Sequence, residues 1–90
     1  MSETPILNNE AAHRFEARFA EGVALLQYRY RSDGALVLVH TEVPPSLRRR
    51  GIATRLAIAA LAFASDHHLE VVPECPFVAA YLRRHPPRSS

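Results

Sequence analysis

The chain has 90 residues, of which 48% are hydrophobic, enough for one small domain with a single packed core. The formal net charge is +2, and because all 11 basic residues are arginines, a Walker-type phosphate loop and a protein Schiff base are excluded. The single cysteine excludes an internal disulfide and favours a reducing compartment. No apolar run reaches the roughly 18 residues of a membrane span, and no signal-peptide pattern is present, so we expect a cytoplasmic protein without a membrane partner.

The first half of the chain predicts three strands. After a loose, flexible lead-in at residues 1–10, apolar residues alternate with polar ones over residues 13–19 and again over residues 23–31. Residues 32–34 read Ser-Asp-Gly, a hairpin signal, and residues 35–43 form a third strand whose first five residues are apolar on both faces. We expect this third strand to be central and covered on both faces.

The second half of the chain predicts alternating helix and strand. Residues 52–67 are rich in alanine and apolar over most of their surface, which is typical of a buried helix. A short strand over residues 69–72 and a helix over residues 76–84 follow. The first helix is a crossover that places the fourth strand parallel to the third. The sequence therefore predicts an α/β (α+β) domain over residues 11–87, with a mixed sheet of about four strands, two helices and a tail at residues 88–90.

The stretch PPSLRRRGIATRL, residues 44–56, lies between the third strand and the first helix. Ligands in such units bind beyond the carboxyl end of the strand, and free N–H groups at a helix start bind phosphate well. Gly51 can adopt a positive φ and lets a ligand approach the backbone. From spacing alone, an ordinary turn that carries a solvated cluster of arginines explains the stretch equally well.

At this loop the residues resemble a known family. Arg48, Gly51 and Ala53 fill, in register, the acetyl-CoA-binding signature of the GNAT superfamily of N-acetyltransferases. The blocks RFEA, HTEVP, RGIA and VVPECPFVAAYLRRHP together resemble the small stand-alone GNAT-like family of about this chain length. The resemblance covers most of the chain, from about residue 9 to residue 86.

The resemblance implies a minimal GNAT-like fold that uses acetyl-CoA, without a metal, to acetylate an amine. Loop amides would hold the CoA pyrophosphate, the pantetheine arm would lie between the third and fourth strands, and the Val43 backbone would face the arm. Members often have Gly-Gln where this chain has Arg49-Arg50, a change that binding through backbone amides tolerates. The residues expected at the cofactor are Val43, Arg48, Arg49, Arg50, Gly51, Ile52, Ala53, Thr54, Pro76 and Phe77.

Three residues are candidates for catalysis, since acetyl transfer needs a polarised thioester carbonyl, a neutral amine and a proton for the departing thiolate. Cys75 lies at the predicted start of the last helix, where the helix dipole favours a thiolate. It could accept the acetyl group, orient the substrate or protonate CoA, and a small buried hydrophobic side chain is the alternative. His40 shares a strand face with Glu42 and could take a proton from the amine, or could be held by a core hydrogen bond. Tyr81 lies near the position where many GNAT proteins place a general acid, and a core role is the alternative.

Three functions remain to be compared. The leading hypothesis is an N-acetyltransferase whose acceptor side is open, which suits a protein or peptide amine, because the chain is short for the helices that shape this site in larger GNAT proteins. A CoA- or acyl-CoA-binding module with little catalysis would use the same loop. A nucleic-acid-binding domain would use residues 48–50 together with Arg83, Arg84 and Arg88, but the strands carry mixed charges and no row of exposed aromatic residues, which disfavours it. The sequence does not distinguish a monomer from a small homo-oligomer.

Overall fold

The computed structural model describes residues 4–86, which form one sheet with two α-helices on one of its faces. The strands are β1 (Leu7–Asn9), β2 (Arg14–Phe19), β3 (Gly22–Tyr30), β4 (Leu36–Glu42) and β5 (Val71–Pro73). The helices are α1 (Ile52–Asp66) and α2 (Pro76–Arg84), and short 3₁₀ turns span Glu10–Ala12 and Pro45–Leu47.

The strands lie across the sheet in chain order. The pairs from β1 to β4 are antiparallel, whereas β4 and β5 are parallel because α1 crosses over between them. The prediction of a mixed α/β sheet with an antiparallel meander, a β–α–β crossover and two helices is therefore confirmed.

The sequence does not predict β1, because Leu7–Asn9 falls within the loose lead-in expected at residues 1–10. Two side-chain hydrogen bonds tie this segment to the sheet: Asn9 Nδ2 donates to Glu16 at 3.1 Å, and Asn8 Oδ1 accepts from the Tyr28 hydroxyl at 2.8 Å. Three residues are too few to show a period-two pattern, so tertiary contacts rather than local propensity define this strand. The predicted tail at residues 88–90 lies outside the described residues.

The core lies between the sheet and the helices. Alternation along β2 and β3 turns one set of side chains towards α1, as the period-two pattern predicts. α1 contributes mainly alanines, whose short side chains let the helix pack close to the sheet. Members of this core that are buried or nearly so include Phe15, Ala17, Ala24, Leu26, Leu38, Leu56, Ala57, Ala60 and Val78.

The sheet face opposite the helices, here called the open face, is covered by no helix within residues 4–86. The expectation that the third strand is covered on both faces is corrected by this arrangement. Val37 is nevertheless fully buried there, because Arg29 and Val72 flank it in register on the neighbouring strands. Most other residues of the open face are polar, among them Arg14, Glu16, Arg18, Gln27, His40 and Glu42.

Candidate functional site

The loop between β4 and α1 is shaped by contacts among its own residues. The turn Pro45–Leu47 buries the Leu47 side chain completely. Arg48 Nε donates a hydrogen bond to the Val43 carbonyl oxygen at 3.1 Å. The Arg48 side chain therefore stabilises the conformation of the loop. Arg49 and Gly51 both have left-handed backbone conformations, with φ of 68° and 73°, and together they reverse the chain before α1 begins.

The start of α1 presents backbone amides that have no acceptor within the helix. The first intrahelical hydrogen bond runs from the Arg55 amide to the Gly51 carbonyl at 3.1 Å, so the amides of Ile52, Ala53 and Thr54 lie before it. Gly51 is the N-cap and offers no side chain to them. A Cβ at Gly51 would meet no atom within 4 Å, so the backbone here borders open space. The positive end of the helix dipole favours an anion at this point.

These elements line a cavity of about 260 Å³ at the N-terminal end of α1. Leu47 lines it although the sequence analysis does not single this residue out, because a leucine in a basic loop carries no signal for binding. Arg50 and Pro76 do not line it, and both are exposed. The other eight of the ten residues expected at a cofactor all line this cavity: Val43, Arg48, Arg49, Gly51, Ile52, Ala53, Thr54 and Phe77.

β4 and β5 pair over a short stretch and then diverge. Their pairing ends at Leu38 and Pro73, and just beyond it the Cys75 amide donates to the Leu38 carbonyl oxygen at 2.9 Å. The register between β3 and β4 shifts at Val39, a bulge that increases the local bend of β4. Among residues 4–86, no strand pairs with the rest of β4, up to Glu42, on this side. Val43, just past β4, and Phe77, in the first turn of α2, both line the cavity at the loop, so the space between β4 and the start of α2, here called the gap, opens into that cavity.

Cys75 lies at this gap as the N-cap of α2. Its side chain is only 3% exposed, and its Sγ atom lies 3.2 Å from the Thr41 hydroxyl oxygen. The thiol makes no hydrogen bond to the first amides of α2. Thr41 is a residue that the sequence analysis does not select, although the alternation of the HTEVP block gives the signal: Thr41 must face opposite to its two neighbours.

His40 and Glu42 lie on the open face, on the other side of β4 from Cys75. His40 Nε2 and Glu42 Oε2 are 3.4 Å apart, and the two side chains are 54% and 66% exposed. His40 is therefore not a core histidine, the alternative that the sequence left open. The structure brings His40 together with Glu42 but places the backbone of β4 between this pair and the thiol.

Tyr81 lies away from the cavity at the loop. It is six residues along α2 from Cys75, about 9 Å along the helix axis. Its ring stacks on His85 with ring centroids 4.6 Å apart, and it lines a second, apolar groove of about 540 Å³ between the C-terminal halves of α1 and α2. The structure therefore separates Tyr81 from the other two predicted catalytic residues.

Comparison with known proteins establishes the family. A family model described as GCN5-related N-acetyl-transferase matches residues 14–89, which is most of the chain. The chain belongs to this family. The resemblance to small GNAT-like proteins is thereby confirmed, since GNAT stands for GCN5-related N-acetyltransferase. The matched region of this GNAT chain includes the loop, the residues that line the cavity, and Cys75.

Curated relatives of this GNAT chain include proteins named NATD1. The one from Xenopus tropicalis is 38% identical over 63 residues, which cover 70% of this chain and 58% of the relative. Those from Gallus gallus and Homo sapiens are 40% identical over 63 residues, again 70% of this chain, and the match covers 57% and 56% of their lengths. The matched segment thus spans little more than half the length of these relatives.

Two further observations concern membranes and metals. Within residues 4–86, no helix is both long enough and apolar enough to cross a bilayer. In the same part of the chain, no group of three or more His, Cys, Asp or Glu side chains is arranged so that it could hold a metal ion.

Proposed function

We propose that this GNAT chain transfers an acetyl group from acetyl-CoA to an amine of a protein or peptide. The observation that carries the proposal is the cavity at the start of α1, where the amides of residues 52–54 and the left-handed Gly51 meet the end of β4. Membership of the N-acetyltransferase family supports the same activity.

The residues at this cavity fit the chemistry of CoA. A pyrophosphate needs several N–H donors and a positive field, which the amides of residues 52–54 and the helix dipole provide. Gly51 lacks a Cβ where the anion would approach the backbone. Val43 and Phe77 offer an apolar wall to a pantetheine arm. The side chains of Arg48 and Arg49 at the cavity add positive charge.

Acetyl-CoA supplies an activated acetyl group, and the chain's own residues would bind it and move a proton. The exposed His40 imidazole can take a proton from the attacking amine, and Glu42, 3.4 Å away, can stabilise the imidazolium that results. Cys75 lies at the gap between β4 and the start of α2, where it can orient the thioester or protonate the departing thiolate. Its burial favours these roles over that of an acyl acceptor.

The open face supports a macromolecular acceptor. His40 and Glu42 lie on a sheet face that no helix covers within residues 4–86, so no wall encloses a small amine there. A lysine side chain or a chain terminus of a peptide could approach them directly. The curated relatives are longer than the segment that matches this chain. Acetyl transfer by a longer protein of that kind is therefore also a proposal.

A CoA-binding module with little catalysis is the second candidate. One observation favours it: the three predicted catalytic residues do not converge, since His40 and Cys75 lie on opposite sides of β4 and Tyr81 lines a different groove. The loop cavity is the same in both candidates. Measured acetyl transfer to a peptide amine separates the two.

The first test is the melting temperature of the chain with and without millimolar CoA. A ligand that binds only the folded state stabilises it by mass action, so we expect the melting temperature to rise. An unchanged melting temperature would contradict both the transferase and the binding module.

A matched pair of glycine variants tests the loop itself. Gly51 and Gly34 have positive φ, 73° and 92°, and a Cβ at either meets no atom within 4 Å. Alanine at either position therefore costs about 1–2 kcal/mol of backbone strain, but only Gly51 lines the cavity. We expect Gly51→Ala to reduce the CoA-induced shift in melting temperature and Gly34→Ala to retain it.

Arg49→Ala tests whether arginine side chains or backbone amides bind CoA. This variant leaves the amides in place, so it should lose less of the shift in melting temperature than Gly51→Ala. The reverse order would mean that arginine side chains do the binding.

A further inference from the structure

Thr41 lies on β4 between His40 and Glu42, the two residues of the open-face pair. Because side chains alternate along a strand, Thr41 faces the opposite way, towards the helices. Its backbone is held in register with Leu26 of β3. Its Oγ1 atom lies 3.2 Å from Sγ of Cys75, so this contact crosses from β4 to the start of α2 where the strands have diverged.

Main-chain hydrogen bonds fix the position of Cys75 in this contact. Its amide donates to the Leu38 carbonyl oxygen at 2.9 Å, and its own carbonyl oxygen accepts from the Ala79 amide at 3.0 Å. The thiol does not cap α2. Within residues 4–86, the hydrogen-bond partner that sets the direction of the thiol is therefore the Thr41 hydroxyl.

The charged side chains nearest to Cys75 along the chain and across β4 are engaged elsewhere. Glu74 accepts a hydrogen bond from Arg29 at 3.2 Å, and His40 and Glu42 contact each other on the open face. The polar side chain that contacts the thiol is instead Thr41, whose hydroxyl is uncharged.

We propose that Thr41 is a positioning residue that accepts the hydrogen of the Cys75 thiol and thereby holds the thiol at the gap between β4 and the start of α2. The catalytic meaning of this inference rests on the proposed function, but its first test does not. A hydroxyl oxygen accepts a hydrogen from a neutral thiol. The neutral thiol held in this way is the form that could orient the thioester or give a proton to the departing thiolate.

The test compares two pairs of proteins that differ by one hydroxyl. Thr41→Val differs from the wild type, and Thr41→Ala from Thr41→Ser, in this group. Since Cys75 is the only cysteine, the infrared S–H stretching band reports on its hydrogen bond, and Cys75→Ala provides the baseline. We expect the band to lie at higher frequency in Thr41→Val and Thr41→Ala than in their partners, because the thiol has lost its acceptor. Equal frequencies within either pair would overturn the inference, and if Thr41→Val does not fold, the serine and alanine pair decides.

Acetyl transfer to a peptide amine separates this inference from the proposed function. We expect kcat of Thr41→Ala to be about tenfold below that of Thr41→Ser, with KM for acetyl-CoA equal in both, because Thr41 does not line the cavity. Equal kcat values would overturn the catalytic part of the inference. If the S–H frequency differs within the pairs but the wild-type chain transfers no acetyl group, the proposed function is overturned and the positioning of the thiol still stands.

Discussion

Glu16 is a carboxylate buried in a sheet face that no helix covers within the described residues. It lies at the centre of β2 and is 1% exposed. Its oxygens accept hydrogen bonds from Arg14 Nε at 2.5 Å, from Arg18 at 2.8 and 3.0 Å, and from Asn9 at 3.1 Å. The long arginine side chains exclude water from the carboxylate while keeping much of their own surface exposed. The bond from Arg14, followed by those from Arg18 and Asn9, lowers the pKa of Glu16 from 4.5 to about 2 despite the opposing effect of burial.

Replacing Glu16 by glutamine should destabilise the fold in a pH-dependent way. At pH 7, we expect Glu16→Gln to lower the free energy of unfolding by about 1–3 kcal/mol, because the charge-assisted bonds to two arginines are lost. The folded-state pKa lies below the unfolded one, so the contribution of the charge is complete above about pH 4.5 and is lost as the pH falls through about 2. Urea unfolding of the variant and the wild type at several pH values measures this. The difference should shrink on acidification, and a constant difference would contradict the assignment.

Glu21→Gln is the control for this prediction. Glu21 lies in the exposed turn between β2 and β3. We expect its substitution to change the free energy of unfolding by less than about 0.5 kcal/mol at every pH.

At the scale of elements, α1 decides how closely the helical layer approaches the sheet. The face of α1 that meets β2 and β3 carries Ala57, Ala60 and Ala64, each almost completely buried. Their small size brings the helix near the sheet and holds its N-terminal turn beside the end of β4. The same helix thus provides the packing of the core and the position of the amides at the cavity.

Enlarging one of these alanines should destabilise the chain through overpacking. We expect Ala60→Leu to lower the free energy of unfolding by about 1–3 kcal/mol, because the added atoms have no space between α1 and the sheet. Ala62→Leu is the control, because Ala62 lies on the exposed side of the same helix and the change in helix propensity is the same. We expect its free energy of unfolding to stay within about 0.5 kcal/mol of the wild-type value. Urea unfolding of both variants tests the prediction, and equal effects would mean that the helix does not pack tightly here.

At the scale of the whole molecule, the candidate site is divided between the two faces of the sheet. The loop cavity, Thr41 and Cys75 lie on the helical side of β4, whereas His40 and Glu42 lie on the open face. Pairing between β4 and β5 ends at Leu38 and Pro73, before β4 reaches His40 and Glu42. Under the proposed function, a two-layer fold of this kind would let acetyl-CoA and the acceptor approach from different sides of β4.

This division predicts that His40 affects acetyl transfer but not CoA binding. We expect His40→Ala to lower kcat by about 100-fold, the usual range for loss of a general base, and to leave KM for acetyl-CoA within about twofold. Gln27→Ala is the matched control, because Gln27 is the cross-strand partner of His40 on the same face. A steady-state assay with a peptide amine tests this. A rise in KM without a change in kcat would place His40 in binding rather than proton transfer.

Much of the fold follows from local patterns in the sequence. Alternation along residues 13–19 and 23–31, the Asp-Gly hairpin and the alanine-rich helix each predict an element that the structure contains within a residue or two of the predicted bounds. The last helix, Pro76–Arg84, has the predicted bounds because Pro76 fixes its first turn. β1 could not be predicted in the same way, since its pairing depends on Asn8 and Asn9 bonding to residues of β2 and β3.

The candidate site, like the fold, could be predicted only in part from local patterns in the sequence. The sequence by itself determined the family and the loop, because a glycine at a helix start and the residues around it form one continuous stretch that folds by local rules. Only the tertiary structure decided which face of β4 each side chain occupies and that Tyr81 lies away from Cys75. It also showed that Thr41 of β4 meets Cys75, the residue that precedes α2. This contact joins residues 34 positions apart in the chain. It depends on the point at which β4 and β5 diverge, and no local pattern in the sequence specifies that point.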